Sequence, residues 1–492
     1  MTARVIRLSD LGLTARAGRD PALSGLTADS RAVRAGMLFA ALPGTATHGA
    51  RFIPAALDLG AIAILTDAEG ARLAAELLGD SDTALVVAED PRAALACAAA
   101  LWFGAQPETM VAVTGTNGKT SVASFTRQIW AALGHAAINI GTTGIEGAWT
   151  APSSHTTPDA ITLQRMLAAA ATDGVTHAAM EASSHGIDQR RMDGVRLKAA
   201  GFTNLTQDHL DYHGTMQAYF DAKAQLFTRI LPDDGFAVVN LNGAKGPEMA
   251  ALACSRGLRA LTIGHGEADL HIAGQRFDAR GQDLRLVWKG QPHQVRLNLI
   301  GGFQAENVAV AAGLAIASGS DPAAVLAVLP LLSGVRGRMQ LAATRRNGAA
   351  VYVDYAHTPD AIETALRALR PHVMGRIIIV FGAGGDRDRG KRPLMGAAAK
   401  AHADVLYVTD DNPRTEDPGL IRKSVLAACP EANEVADRAE AILRGVDALL
   451  PGDALLVAGK GHETGQIIGT DVYPFDDVEQ ASVAVAALDG VI

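Results

Sequence analysis

The sequence predicts an α/β protein of three domains: a small N-terminal α/β domain over 1–100, a central doubly wound sheet over 101–332 and a second doubly wound unit over 333–492. Three observations carry this. The 492 residues exceed what one hydrophobic core serves, and about three domains is the usual division at this size. Hydrophobic residues make up 48% and aromatics 4%, so the cores are built from Ala, Val, Leu and Ile, as in alternating α/β proteins. Short aliphatic runs recur with helix-period stretches between them, which is the pattern of strand–helix–strand units.

In the first domain, 61–65 (AIAIL) and 84–87 (ALVV) read as strands, and 92–103 as an Ala/Leu helix. Two polar or glycine-rich loops, 27–31 (TADSR) and 43–51 (PGTATHGAR), read on their own as surface turns.

The central domain opens on MVAVTGTNGKTSVASFTRQIWAAL at 110–133, a buried strand, a glycine loop and a helix. Backbone N–H groups around Gly115, Thr116, Asn117 and Gly118 can face phosphate oxygens, and the helix N-terminus, with Ser121 in its first turn, adds its dipole. Lys119 is placed to reach the β and γ phosphates of a nucleotide and Thr120 to bind Mg²⁺. Val113 stands where the general Walker pattern has its first glycine, so this is the shorter G-x-x-G-K-T form. Further strands are expected at 136–140, 176–180, 199–203, 236–239 and 297–300, in a largely parallel sheet with its ligands at the carboxyl ends of the strands.

Two polar clusters follow such strand ends. EASSH at 181–185 puts Glu181 near the phosphate loop as a Mg²⁺ ligand, because hard cations take oxygen donors and Mg²⁺ uses few protein carboxylates. The run TNLTQDHLDYHG at 203–214 offers His209 as a second ligand, although a lone histidine is more often a surface or capping residue. Lys223, in AYFDAKAQLF, reads by itself as a snorkelling lysine.

The last domain reads as a Rossmann-like α/β unit, with strands at 350–353, 376–381, 405–408 and 454–457 and helices at 358–370, 391–401, 418–428 and 435–449. Its strand ends carry DYAHTPD (354–360), FGAGGDRDRGKR (381–392), DDNPR (410–414) and GKGHE (459–463), which share one edge if the sheet is parallel. The G-A-G-G run lacks dinucleotide spacing, whereas arginines there can hold carboxylates through paired N–H donors. A glycine-containing turn at 331–338 links the domains, with Gly334 to Gly337 as the expected hinge.

A net charge of −8 argues against a nucleic-acid surface. Cys97, Cys254 and Cys429 are far apart in sequence without metal-site spacing, and are expected as buried thiols in a reducing compartment. No signal peptide and no run of apolar residues long enough to span a bilayer is found, so a cytoplasmic protein without membrane insertion is expected; a monomer is expected as well, although no sequence feature fixes the oligomeric state.

Taken together, GTNGKT (115–120), MEASSH (180–185), DHLDYHGT (208–215), GRM (337–339), DYAHTP (354–359) and GKGHE (459–463) strongly resemble the Mur ligases, ATP-dependent amino-acid-adding enzymes of peptidoglycan precursor synthesis. The resemblance covers all three domains. DNPR at 411–414 looks like the signature of the member that adds meso-diaminopimelate to UDP-N-acetylmuramoyl-L-alanyl-D-glutamate; the lysine-adding relatives differ here. A physical reason exists, since meso-diaminopimelate carries a second carboxylate that Arg414 can bind bidentately.

The resemblance implies ATP as co-substrate and Mg²⁺ as cofactor. It makes Asn307 and Arg338 nucleotide contacts, and Ser30, Thr45, Ala46, Thr47, His155, Thr156, Thr157, Ser183, Gln189 and Arg191 contacts of the UDP-substrate. His155 stands where relatives often have asparagine. The diaminopimelate pocket becomes Arg387, Asp411, Asn412, Pro413, Arg414, Gly459 and Glu463. Lys223 matches the lysine that the family carries as an N-carbamate, which would join Glu181 and His209 at a second Mg²⁺. The implied reaction passes through an acyl phosphate, with Lys119 neutralising phosphate charge and His357 or a phosphate oxygen taking the amine's proton. The rival readings are a lysine-adding ligase, a folylpolyglutamate-synthase-like ligase and a non-enzymatic P-loop switch. Arg414 and the UDP-substrate motifs speak against the first two, and the density of ionisable residues at strand ends against the third.

Overall fold

The computed structural model describes residues 5–44, 47–78, 82–153 and 155–491. The chain divides into two compact units, Met1–Ile263 with Val310–Pro322 and Gly264–Ala309 with Ala323–Ile492.

The first unit begins with β1 (Ile6–Arg7) antiparallel to β2 (Ala22–Leu23). β3 (Gly25–Thr27), β4 (Met37–Ala40), β5 (Ala63–Thr66) and β6 (Ala84–Val87) then form a four-stranded parallel sheet in that order. β5 and β6 are the two strands expected from sequence. β3 and β4 were not: GLT is only three residues long and runs into a polar turn, whereas MLFA is as long as β5 and β6 and was overlooked. The helix Pro91–Phe103 starts as its sequence dictates: Asp90 caps it by accepting from Ala93 N, and proline occupies the first turn.

The main sheet of this unit contains β7 (Thr109–Thr114), β8 (Ala137–Gly141), β9 (Gly144–Gly147), β10 (His177–Glu181), β11 (Ala199–Phe202), β12 (Phe236–Asn240) and β13 (Arg259–Gly264). Their spatial order is β13-β12-β11-β7-β10-β8-β9, parallel except for β9. β7 is buried at every residue, which is why it reads as a continuous apolar run. With β10 on one side and β11 on the other, β7 lies where the strand order reverses, so the crevice at its carboxyl end is the expected ligand position.

The second unit opens with an antiparallel meander, β14 (Leu270–Asp278), β15 (Gly281–Trp288) and β16 (Gln291–Leu297). This corrects the strand expected at 297–300: only Leu297 belongs to a strand, and it ends β16. The meander alternates buried and exposed residues, so its signature was alternation with charges, not an apolar run. β17 (Gln340–Thr344), β18 (Ala350–Asp354), β19 (Ile377–Phe381), β20 (Val405–Val408), β21 (Asn433–Glu434) and β22 (Ala454–Ala458) form a six-stranded sheet. Its order is β17-β18-β22-β19-β20-β21, with β17 alone antiparallel. Alternation along β19 feeds two cores: Ile377, Ile379 and Phe381 join one, Ile378 and Val380 the other. A short hairpin, β23 (Gly465–Ile468) and β24 (Asp471–Pro474), follows β22.

Gly337 has φ +66°, and a Cβ there would collide with the backbone of Gly461 and His462. The glycine expected as a hinge is thus required by close approach within this unit. Cys97 and Cys254 are exposed, and only Cys429 is buried; the first two lie on the outer faces of Pro91–Phe103 and Gly246–Ser255, not in the cores expected for them. Among the described residues no helix is long and apolar enough to cross a membrane.

Candidate active site

The phosphate loop sits at the carboxyl end of β7. Gly118 (φ +88°) caps the helix Lys119–Ala132 in the left-handed region. A Cβ on Gly115 would overlap the Thr203 hydroxyl and lie 3.1 Å from backbone atoms of Asn204, so only glycine fits. The chain after β11 braces the loop: Thr203 Oγ1 donates to Asn117 O at 2.6 Å, Asn117 N to Asn204 Oδ1 at 2.9 Å and Thr206 N to Thr116 Oγ1 at 3.0 Å. Lys119 Nζ donates to Gly115 O and Thr116 O at 2.9 and 2.8 Å, folded over the loop it would serve. Thr120 and Ser121 are buried in the first helical turn.

Glu181 ends β10, the strand beside β7, and is 1% exposed. Thr142 N donates to its Oε1 at 2.8 Å and Thr142 Oγ1 to its Oε2 at 3.3 Å. Among the described residues no Lys, Arg or His pairs with this carboxylate, and buried charges are normally paired or coordinate metals. Nor do the described residues hold a cluster of three His, Cys, Asp or Glu suited to a metal. One buried oxygen-donor carboxylate beside a phosphate loop fits Mg²⁺, which takes one or two protein ligands and completes its shell with phosphate and water.

Lys223 lies 1% exposed under the loop, on the helix Met216–Gln225. Its Nζ donates to Gly115 O at 2.7 Å and stands 4.4 Å from the Tyr219 ring centroid. Burial, reinforced by the Lys119 charge, holds its pKa well below the ordinary lysine value. It is therefore not the snorkelling lysine its helix suggested. His209 has φ +52°, and its ring lies 4.9 Å from that of His185. Surrounding protein pushes its pKa down, against the pull of Asp208, although the ring keeps solvent contact.

The residues expected at the UDP-substrate fall into two groups. Thr157 organises one: its Oγ1 donates to Glu181 O at 2.9 Å and receives Ser183 N at 3.0 Å, while Arg191 donates to Thr157 O at 2.7 Å and to Gln189 Oε1 at 2.8 Å. Thr156 pairs with Thr142 through their hydroxyls at 2.9 Å, and His155 is exposed beside it. Ser30 starts a 3₁₀ turn after β3, and Thr47 receives a 3.4 Å bond from Arg51. Thr45 and Ala46 lie outside the described residues.

In the second unit, the four polar strand ends follow β18, β22, β19 and β20, which are adjacent and parallel. Asn412 is at the centre: its Nδ2 donates to Glu463 Oε2 at 2.9 Å, and its Oδ1 receives Lys460 Nζ at 2.9 Å and Ile467 N at 3.0 Å. Arg414, at φ +52°, donates through Nη1 to Gly385 O at 2.8 Å. Pro413 O lies against Gly385, where a Cβ would overlap it, and a Cβ on Gly459 would stand 2.5 Å from Asp411 Oδ2. Arg387 is exposed, and among the described residues its Nη1 donates to Asp386 O at 3.2 Å.

Asp354 accepts from Met339 N at 2.7 Å; burial raises its pKa while Arg338 lowers it. The Arg338 guanidinium stacks 4.7 Å from the Tyr355 ring centroid. His357 Nδ1 lies 2.8 Å from Tyr355 O, and crowding by protein pushes its pKa down although the ring touches solvent. Asn307 is buried on the helix Phe303–Ala317, donating to Gln304 Oε1 at 3.0 Å.

Sequence reasoning missed Thr142 and the buried Arg438–Asp477 pair, whose 2.7 Å contact supports the end of β22 through an Arg438 bond to Ala458 O, and it gave Lys460 no role within GKGHE. The G-K-G spacing was the available signal for Lys460; nothing marked Arg438, which is remote in sequence from every motif.

Three family models match the chain: the catalytic domain of the Mur ligase family at 22–102, the Mur ligase middle domain at 113–315 and the Mur ligase glutamate ligase domain at 337–461. A UDP-N-acetylmuramoyl-L-alanyl-D-glutamate--2,6-diaminopimelate ligase of Caulobacter vibrioides is 50% identical over 98% of this chain and 99% of its own. The enzyme of the same name from Bradyrhizobium diazoefficiens is 49% identical over 94% of this chain and 95% of its own. A solved structure with that name superposes with a TM-score of 0.73 at 35% identity, covering 99% of both chains. With identity of this level along nearly its whole length, the chain belongs to the Mur ligase family.

Proposed function

We propose that this protein is an ATP-dependent ligase that joins meso-diaminopimelate to the D-glutamate of UDP-N-acetylmuramoyl-L-alanyl-D-glutamate, releasing ADP and phosphate, in cytoplasmic peptidoglycan precursor synthesis. The observation that carries the choice of amino acid is the Asp411–Arg414 turn locked against Gly385 and Glu463. It presents a cation and an anion together, as a diamino dicarboxylic acid requires. Relatives that are 50% and 49% identical over 99% and 95% of their own length carry this name.

The γ-phosphoryl group passes to the glutamate side-chain carboxylate, giving an acyl phosphate. Lys119 and the N–H groups of the 115–120 loop hold the phosphate oxygens and offset their charge. Mg²⁺, held by Thr120 and Glu181, supplies further charge neutralisation when bound. A neutral amine of meso-diaminopimelate then attacks the acyl carbon, the C–N bond forms and phosphate leaves. His357, held neutral by its depressed pKa, is the group of this chain we assign to take the amine's proton. Arg414 and Glu463 orient the distal end of the amino acid, Arg338 and Asn307 the nucleotide, and the Thr157–Ser183–Arg191 group the UDP-substrate.

Lys223 is assigned as an N-carbamate in the working enzyme. Its buried, neutral-favouring amine is the form that adds CO₂: the N–C bond forms, a proton leaves, and the group becomes an anion able to join Glu181 and His209. Intact mass under bicarbonate should show one added CO₂ that Lys223→Met abolishes. An unmodified lysine, with full activity in the variant, would remove this assignment.

The function is tested by product mass after incubation with ATP and the UDP-dipeptide, with meso-diaminopimelate or L-lysine as acceptor. Amide product with meso-diaminopimelate alone is expected. Lysine as the preferred acceptor would overturn the amino-acid assignment, and no amide from either would overturn the reaction.

A further inference from the structure

Lys460 lies inside the GKGHE motif, yet neither the expected site residues nor the proposed chemistry gives it a role, and its placement is unusual. Its side chain is fully buried, where a lysine normally carries its ammonium to the surface. The flanking glycines explain how: Gly459 has φ +121° and Gly461 φ +54°. A Cβ on Gly461 would stand 2.7 Å from Tyr355 Cβ and 2.9 Å from Gly337 O. The backbone therefore reverses at both neighbours and turns the lysine inward, an arrangement that two L-residues in those places would strain.

Inside, Lys460 Nζ donates to Asn412 Oδ1 at 2.9 Å and meets Glu463 Oε2 at 3.2 Å. Asn412 Nδ2 donates to the same Glu463 oxygen at 2.9 Å, and Ile467 N fills the remaining site on Asn412 Oδ1. This closed set fixes the Asn412 amide with oxygen toward Lys460 and nitrogen toward Glu463. It also engages Oε2 of Glu463 twice, while no described residue donates to Oε1 and the side chain is one-third exposed.

We infer that Lys460 is a positioning residue that clamps Asn412 and Glu463, so that Glu463 Oε1 faces the incoming amino acid as a pre-oriented acceptor for an ammonium group. Lys460 does not touch the substrate. It sets the acceptor's direction and balances the Glu463 charge while the pocket is empty, so the substrate's ammonium meets a carboxylate already aimed at it. This inference rests on the proposed use of the pocket for a diamino acid.

The test is steady-state kinetics of the full-length Lys460→Met enzyme with each substrate varied, in a double-mutant cycle with Glu463→Gln. KM for meso-diaminopimelate should rise about 10- to 100-fold, the size of losing a hydrogen bond to a charged group. KM for ATP and for the UDP-dipeptide should stay within about twofold. The two substitutions should be less than additive, because Lys460 acts through Glu463. An unchanged KM for meso-diaminopimelate, an equal rise for all three substrates, or full additivity would each overturn the role. If the wild-type enzyme forms no product with meso-diaminopimelate, the underlying function has failed instead. Should Lys460→Met not fold, a crystal structure of the wild-type enzyme with meso-diaminopimelate decides: Nζ retained on Asn412 and Glu463 supports the clamp, and Nζ bonded to the ligand overturns it.

Discussion

The phosphate loop after β7 and the pocket after β19, β20 and β22 differ in what holds them. The loop is shaped by backbone: Gly115 and Gly118 allow its turns, and from one neighbouring strand end Thr203 and Asn204 brace its C=O and N–H groups while Thr206 N holds the Thr116 hydroxyl. The pocket is a side-chain lattice, in which Asn412, Lys460 and Glu463 hold one another and Arg414 is tied to Gly385, residues drawn from three strand ends. A backbone-built site suits a ligand common to many enzymes, because phosphate needs only N–H groups and positive charge. The lattice suits a ligand to be distinguished from close analogues, because its charged groups must fall at fixed positions.

Breaking each site should therefore leave different signatures. Lys119→Met should have the largest effect, lowering kcat by about 10³-fold through lost charge stabilisation of the transferring phosphoryl group. KM for meso-diaminopimelate should barely move, and a large change there, measured by steady-state kinetics, would contradict the separation. Arg414→Lys should raise KM for meso-diaminopimelate by about 10- to 100-fold, because a point charge replaces a bidentate fork. ATP binding by calorimetry should be unchanged. Gly385→Ala sharpens the comparison, since its Cβ would overlap the Pro413 carbonyl and force the Arg414 turn to shift. It should weaken meso-diaminopimelate binding and leave nucleotide binding intact, whereas Gly115→Ala should do the reverse.

The smallest expected effect is on stability. Lys223 has a depressed pKa in the folded enzyme, so above that value the unfolded chain binds the extra proton. Stability should rise with pH from the depressed value up to the ordinary lysine value, with a slope of at most about 1.4 kcal/mol per pH unit. In bicarbonate-free buffer, urea unfolding over the pH range just below the ordinary lysine value should show this slope in wild type and its loss in Lys223→Met. A slope preserved in the variant would assign it to other groups.

These differences also explain what was legible in the sequence. The α/β class and the strands at β7, β10, β11, β19 and β22 could be read because buried parallel strands are unbroken aliphatic runs ending in polar motifs. The meander β14 to β16 was not, since a sheet open to solvent on one face mixes charges into every strand. At the phosphate loop, spacing alone carried the site. Lys223 looked ordinary on its helix, and only its burial beneath Gly115 sets it apart. Arg438 was missed and Lys460 was given no role because Asp477 and Asn412, partners about 40 to 50 residues away, are brought to them by the fold rather than by local pattern, although Glu463 lies three residues from Lys460.

Oxygen transfer tests the central claim, that the phosphate loop and the amino-acid pocket serve one reaction through an acyl phosphate, most directly. UDP-N-acetylmuramoyl-L-alanyl-D-glutamate carrying ¹⁸O in its side-chain carboxylate is incubated with ATP, meso-diaminopimelate and the wild-type enzyme, and the released phosphate is analysed by mass spectrometry. The account predicts one ¹⁸O in each phosphate formed together with amide. Unlabelled phosphate would mean that water, not the glutamate carboxylate, receives the phosphoryl group, and would contradict it.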